Sequence, residues 1–147
     1  MISIHEIWLP FHSIIKGARK VVNDGLRPFG LSSAEGNILL HMFMQSAEIS
    51  QEQLACDLGI SKAAISRVID GLEKKGYILR TRKADDRRFY QLLLTEKARE
   101  ATAQIARIYN GVYDMALRGI SEEEFAEFTG VLEKILKNFD EGECSGC

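Results

Sequence analysis

Apolar residues spaced three and four apart run from Ile4 to Leu26, which predicts an amphipathic helix at the start of the chain. Pro10 lies inside this stretch, and its missing N–H and bulky ring predict that the regular helix either starts near Pro10 or bends there. The turn-forming residues 27–30, Arg-Pro-Phe-Gly, are expected to end it.

A second helix is predicted from Ser32 to about Gln45. Glu35 follows Ser32 by three positions, which is the pattern of a capping box at a helix start. The apolar stripe that we expect this helix to bury consists of Ile38, Leu39, Met42 and Phe43.

Two short helices joined by a tight turn are predicted next. Ser50 can cap the first of them after a short extended piece around Ile49, and Gly59 tolerates the left-handed conformation that ends it. Ser61 caps the second, which Gly76 stops. The inward-facing residues are expected to be Leu54, Ala55, Leu58, Ile65, Val68, Ile69 and Leu72. This arrangement is a helix-turn-helix.

Beyond this point the pattern becomes that of β-strands. The β-prone runs 77–82 and 89–94 enclose the charged stretch 83–88, which predicts a hairpin with a charged tip. A long helix starts at Thr95, and a last helix after Ser121 carries glutamates in its first turn, where they complement the helix dipole. The apolar stripes of these two helices are Ala98, Ala101, Ile105, Ile108, Tyr109, Val112 and Ala116 in the first, and Phe125, Phe128, Val131, Leu132, Ile135, Leu136 and Phe139 in the second.

The composition is that of an ordinary globular protein. The chain has 147 residues, of which 46% are apolar and 27% charged, with a formal net charge of −2, so we expect one domain. Its 3 cysteines do not make a disulfide framework. No apolar run reaches the roughly 18 residues of a membrane helix, and the N-terminus lacks a secretory pattern. We therefore expect a cytoplasmic protein without membrane contact.

The charge is sorted along the chain. Residues 61–88 hold nine basic and four acidic side chains, whereas residues 121–147 hold two basic and eight acidic ones. A basic region that coincides with a helix-turn-helix and a hairpin indicates a DNA-binding surface. The candidate DNA contacts are Ser50, Gln51, Ser61, Lys62, Ala63, Ala64, Ser66, Arg67, Arg82, Lys83, Asp86, Arg87 and Arg88. The alternative is that these are solvated side chains on a structural helical unit.

Three stretches of this region carry specific motifs. Residues 53–61 run from Gln-Leu-Ala to Leu-Gly-Ile-Ser, and residues 72–78 read Leu-Glu-Lys-Lys-Gly-Tyr-Ile. In residues 86–98, Asp-x-Arg precedes an apolar strand, then Leu-Thr and a helix. In these motifs, and in the order of helices around them, the chain resembles the MarR family of winged helix-turn-helix transcriptional regulators.

The resemblance implies a mainly α (α+β) fold in a single domain over residues 1–147. Residues 32–95 would form the winged helix-turn-helix core with a three-stranded wing sheet. Residues 1–30 and 96–140 would form a helical dimerisation region, and residues 141–147 a flexible cysteine-containing tail.

The resemblance also places residues 61–67 at base edges in the major groove, and Arg88 at the wing tip in the minor groove, oriented by Asp86. A homodimer would then read palindromic double-stranded DNA. The apolar surface of the first and last helices favours a second copy of the chain as partner. The alternative is that these faces close onto each other within a monomer.

Regulators of this family commonly respond to small phenolic or other aromatic ligands, to oxidants or to metal ions. The resemblance therefore implies a repressor released by such a signal. The cleft expected between the dimer arm and the winged core supplies the ligand-pocket candidates Trp8, Phe11, His12, Ile15, Arg19, His41 and Tyr109. Each of them could equally be a packing residue.

The cysteines are candidates for redox or metal chemistry. Cys144 and Cys147 form a Cys-x-x-Cys pair, and two such tails could supply four thiolates for zinc or an iron–sulfur cluster. Cys56 is expected to face outward on its helix. The simpler interpretation is an inert Cys56 and a tail with two thiols. No cofactor is required, and His5 and His12 lack a third ligand that would complete a metal site.

Two other classes of function remain open. The winged helix could bind another protein, in which case binding would depend little on salt, unlike contacts to phosphates. Catalysis would be restricted to thiol–disulfide exchange by the tail, because the chain has no glycine-rich phosphate loop, nucleophile elbow or zinc-protease motif. We expect a DNA-binding regulator and not an enzyme.

Overall fold

The computed structural model describes residues 3–45, 48–82 and 90–140. Within them the chain divides into two compact units, one ending at Val112 and one beginning at Tyr113. The elements, in order, are α1 (Ile4–Leu26), α2 (Ser33–Gln45), β1 (Ile49–Ser50), α3 (Gln51–Leu58), α4 (Lys62–Lys74), β2 (Ile78–Arg82), β3 (Tyr90–Leu94), α5 (Glu96–Ala116) and α6 (Glu122–Asp140). The mainly helical fold with a small sheet is as predicted.

Helix α1 spans Ile4–Leu26, as the apolar spacing predicts, so of the two alternatives for Pro10 a helix start there is excluded. Ser3 caps the helix by accepting a bond from the backbone N–H of His5 at 3.3 Å, and its own N–H donates to the Glu6 carboxylate at 3.2 Å. This capping box fixes the first turn. Pro10 is accommodated further along, where it removes a single backbone hydrogen bond.

The other predicted helix starts are confirmed by side-chain caps. The Ser32 N–H donates to the Glu35 carboxylate at 2.8 Å, while the Ser32 hydroxyl accepts from the Glu35 N–H at 3.3 Å. Ser121 and Glu124 form the same reciprocal pair before α6, with distances of 2.8 and 3.2 Å. These local bonds satisfy N–H groups that a helix end otherwise leaves without partners.

The core lies among α2, α3, α4, the sheet and the first half of α5, and Leu26 at the end of α1 joins it. On α2, Ile38, Leu39 and Met42 are buried as predicted, but Phe43 is 48% exposed. Phe43 was expected to belong to this stripe. It lies one residue beyond Met42, about 100° around the helix, and so falls at the edge of the buried arc.

The sheet is antiparallel with strand order β1-β3-β2. Leu92 in the central strand pairs with Ile49 on one side and Arg80 on the other. Because side chains alternate along a strand, Arg80 and Arg82 share the sheet face of the buried Ile78. The root of the hairpin is therefore anchored in the core.

A polar cluster fixes the end of α4 to α2. The Glu35 carboxylate is buried, and both of its oxygens lie 2.8 Å from the Lys75 ammonium nitrogen. Tyr77 donates its hydroxyl to the Phe29 carbonyl at 2.9 Å. Burial, together with the nearby Glu35 carboxylate, raises the pKa of Tyr77. These bonds hold α4 on a rigid support.

Each unit also exposes apolar side chains. On α1 the side chains that are at least 40% exposed are Ile7, Trp8, Leu9, Ile14 and Ile15, and in the second unit they are Tyr113, Met115, Ile120, Phe125, Phe128, Val131, Leu136 and Phe139. Phe43, Met44 and Leu79 reach the same exposure elsewhere in the first unit. Surfaces of this kind mark binding sites for other molecules. Among the described residues, none of the helices has the length and apolar character needed to cross a membrane.

Candidate nucleic-acid interface

The first turn of α4 presents small and basic side chains to solvent. Gly59 adopts the left-handed conformation, with φ of 61°, which lets the chain turn sharply between α3 and α4. Ser61 then caps α4, its hydroxyl accepting from the Ala64 N–H at 3.2 Å. Lys62, Ala63 and Arg67 are exposed, as is Ser61 itself.

The opposite side of α4 anchors this turn. Ile65, Ile69 and Leu72 are each no more than 1% exposed. Ala64 and Ser66, which were also predicted to contact DNA, are half-buried at the boundary between the two faces. The exposed end of the helix therefore projects from a well-packed support.

The start of α3 contributes two further predicted contacts. Ser50 caps the helix by accepting from the Gln53 N–H at 3.0 Å. Gln51 is half-buried, and its side-chain oxygen is buried without a hydrogen-bond partner among the described residues. Both residues lie at a helix N-terminus, where N–H groups and the helix dipole favour anions such as phosphate.

Arg82 is exposed and is the last residue of β2. It pairs with Tyr90 across the strands, donates to the Tyr90 hydroxyl at 2.8 Å, and places its guanidinium carbon 4.8 Å from the ring centroid. The predicted tip contacts lie outside the described residues. They are Lys83, Asp86, Arg87 and Arg88.

Arg80 was not among the predicted site residues, yet it links the hairpin to α4. Its guanidinium bonds the Asp70 carboxylate, lies 3.6 Å from the Glu73 carboxylate, and donates to the Ser66 carbonyl at 3.4 Å. The alternation of side chains along β2 places Arg80 on the same face as Ile78 but does not identify its partners on α4.

The ligand-pocket candidates occupy different surroundings. On α1, Trp8, His12, Ile15 and Arg19 are exposed and Phe11 is half-buried. On the other elements, His41 lies 3.1 Å from the Asp57 carboxylate, and the Tyr109 hydroxyl donates to the Ser33 carbonyl at 2.9 Å.

The last two contacts lie eight residues apart along α2, which is about 12 Å. The contact between His41 and Asp57 and the contact between Tyr109 and Ser33 therefore lie near opposite ends of α2. A hydrogen bond from Gln53, and in second place one from His41, lowers the pKa of Asp57. The bond to His41 links Asp57 on α3 to α2 at the base of the helix-turn-helix.

Of the cysteine candidates, Cys56 is exposed on α3. Cys144 and Cys147 lie outside the described residues. Within residues 3–45, 48–82 and 90–140, no three His, Cys, Asp or Glu side chains lie close enough together to hold a metal ion.

Known proteins share both the sequence pattern and the fold. The sequence profile of the MarR family matches residues 38–89, which include α3, α4 and β2. A solved structure described as transcriptional regulator PA3341 is 32% identical, with a TM-score of 0.80 over 92% of this chain and 98% of that one.

Two further solved structures have similar folds at lower identity. The MarR protein from Peptoclostridium difficile is 21% identical, with a TM-score of 0.86 over 97% of this chain and 94% of that one. The organohalide-sensing regulator RdhR-CbdbA1625, bound to 2,4-dichlorophenol, is 23% identical, with a TM-score of 0.84 over 94% of this chain and 82% of that one. These two structures share the fold, while the profile match and the 32% identity to PA3341 establish that the chain belongs to the MarR family of transcriptional regulators.

Proposed function

We propose that the chain is a repressor that binds palindromic double-stranded DNA as a homodimer. The exposed first two turns of α4 carry this proposal, because Ser61, Lys62, Ala63 and Arg67 are exposed there on a helix whose opposite side is buried. Small side chains allow the helix to approach base edges closely, and lysine and arginine reach guanine edges or phosphates. In this proposal, α4 enters the major groove.

The hairpin supplies the second contact in the proposal. Arg82 is exposed at its root, and the stretch that follows in the sequence, residues 83–88, contains the basic residues Lys83, Arg87 and Arg88. A narrow, electronegative minor groove attracts arginine side chains. We place the tip residues Arg87 and Arg88 in the minor groove beside the major groove that α4 occupies.

A second copy of the chain accounts for the exposed apolar side chains of α1 and of the second unit. Trp8 is 69% exposed and Phe139 is 73% exposed, which is costly for aromatic residues unless a partner covers them. In a symmetric dimer the two α4 helices read half-sites about one DNA turn apart, which explains why the proposed site is a palindrome.

We further propose that a small aromatic ligand releases the DNA. The organohalide-sensing relative was solved with 2,4-dichlorophenol bound. In this chain Trp8, His12 and Arg19 expose an aromatic ring and polar groups on α1, a combination that suits a phenol. A partner subunit would complete the pocket around them.

The test begins with selection of bound fragments from the parent genome, followed by anisotropy titration of the best duplex. We expect Arg67→Met and Lys62→Met to weaken binding by about tenfold each, within the range of a lost base or phosphate contact. Lys20→Met on α1 is the matched control and should bind like the parent protein. Equal affinities for all four proteins, or binding that salt does not weaken, would favour a protein-binding module instead.

A further inference from the structure

Tyr90, the first residue of β3, lies beside two guanidinium groups at the root of the hairpin. The guanidinium carbons of Arg80 and Arg82 are 5.5 and 4.8 Å from its ring centroid. Cations at this distance are attracted to the face of an aromatic ring. The two arginines differ in their other contacts, and this difference separates their roles.

Arg80 is directed at α4 and away from solvent. Its side chain is only 18% exposed, its Nε atom is buried, and its terminal nitrogens contact Asp70, Glu73 and the Ser66 carbonyl. Two carboxylates therefore neutralise its charge. Arg82 is exposed, and among the described residues its guanidinium contacts only Tyr90.

We propose that Arg80 is a positioning residue for DNA binding and makes no contact with DNA itself. By joining Asp70 and Ser66 on α4 to Tyr90 on β3, it fixes the separation between the major-groove helix and the hairpin. A hairpin held in place before binding loses less conformational entropy when it enters the groove. This inference rests on the proposed DNA-binding function.

Arg80→Met tests this role, with Arg82→Met as the matched variant. Each of these two substitutions removes one positive charge from the same face of β2 and leaves a long apolar side chain. Asp70→Asn breaks the Arg80 pair from the α4 side without removing a cation. Hydrogen exchange of the β2 and β3 amides is measured in the DNA-free proteins. Affinity for the selected duplex is measured against salt concentration, after circular dichroism has verified that each variant is folded.

In Arg80→Met and Asp70→Asn we expect the amides of β2 and β3 to exchange hydrogen at least about fivefold faster than in the parent protein. Each variant should also bind the selected duplex about tenfold more weakly. For both variants the slope of log affinity against log salt concentration should equal that of the parent protein, because no phosphate contact is lost. Arg82→Met should reduce the slope of log affinity against log salt by about 0.9, the value for one phosphate contact.

Unchanged amide exchange in Arg80→Met would overturn the inference, and so would a salt slope reduced as in Arg82→Met. The exchange measurement needs no DNA. If the parent protein selects no duplex, the proposed function fails, while the exchange result still decides whether Arg80 holds the hairpin against α4.

Discussion

A methyl group added at Gly36 tests the packing that joins α1, α2 and α5. A Cβ atom there would lie 2.6 Å from a methyl carbon of Leu26 and 2.8 Å from the hydroxyl oxygen of Tyr109. Leu26 is fully buried, and the Tyr109 hydroxyl is bonded to the Ser33 carbonyl at 2.9 Å. Neither group can move aside without losing contacts that it now makes.

The expected cost follows from these contacts. Forcing an extra methyl group into a filled core costs about 1–3 kcal/mol, and breaking the Tyr109 hydrogen bond costs about 1 kcal/mol. The higher helix propensity of alanine offsets about 1 kcal/mol of this destabilisation. Gly36→Ala should therefore lower the free energy of unfolding by about 1–3 kcal/mol.

Gly17 and Gly111 provide matched controls on two other helical stretches. No packing neighbour among the described residues lies within 4 Å of a Cβ atom at either position, so alanine should stabilise by about 0.5–1 kcal/mol. Urea unfolding, followed by far-ultraviolet circular dichroism at one protein concentration, measures all three variants. A Gly36→Ala protein as stable as the two controls would refute the packing account.

Three further predictions concern single contacts. Gly59→Ala should destabilise by about 1–2 kcal/mol, because alanine is strained in the left-handed conformation, whereas a change below about 0.3 kcal/mol in urea unfolding would contradict this. Lys75→Met should destabilise by about 1–2 kcal/mol relative to Lys74→Met, since it removes the cation that binds the buried Glu35 carboxylate; equal unfolding midpoints would exclude that role. The lowered pKa of Asp57 means that its stabilising effect is present above its ordinary value of 3.8 and is lost as pH falls below it. Asp57→Asn should therefore flatten the fall in melting temperature between about pH 5 and pH 3, and a fall as steep as that of the parent would contradict this.

Local features of the fold could be predicted from sequence because their causes are local. A serine followed three residues later by glutamate caps a helix wherever the two side chains can reach the backbone, as at Ser32 and Ser121. Helical periodicity predicted which side of α4 is buried. The apolar spacing predicted the span of α1 from Ile4, but Pro10 left a later start open because the capping pair of Ser3 and Glu6 is the weaker signal in the sequence.

The polar links between elements could not be predicted in the same way. In the sequence, Arg80 is one of nine basic residues between positions 61 and 88. Only the packing of the sheet against α4 pairs it with Asp70. Phe43 has the spacing of a core residue, but its exposure depends on how far the neighbouring elements wrap around α2. Both outcomes depend on contacts between segments that are distant along the chain.

Hydroxyl-radical footprinting of the best selected duplex measures directly whether two α4 helices occupy the DNA. We expect two protected regions whose centres lie about ten base pairs apart, one for each α4 helix of a dimer. Arg67→Met should lose both regions at a concentration where Lys20→Met retains them. A single protected region, or protection that Arg67→Met leaves intact, would contradict DNA recognition by paired α4 helices.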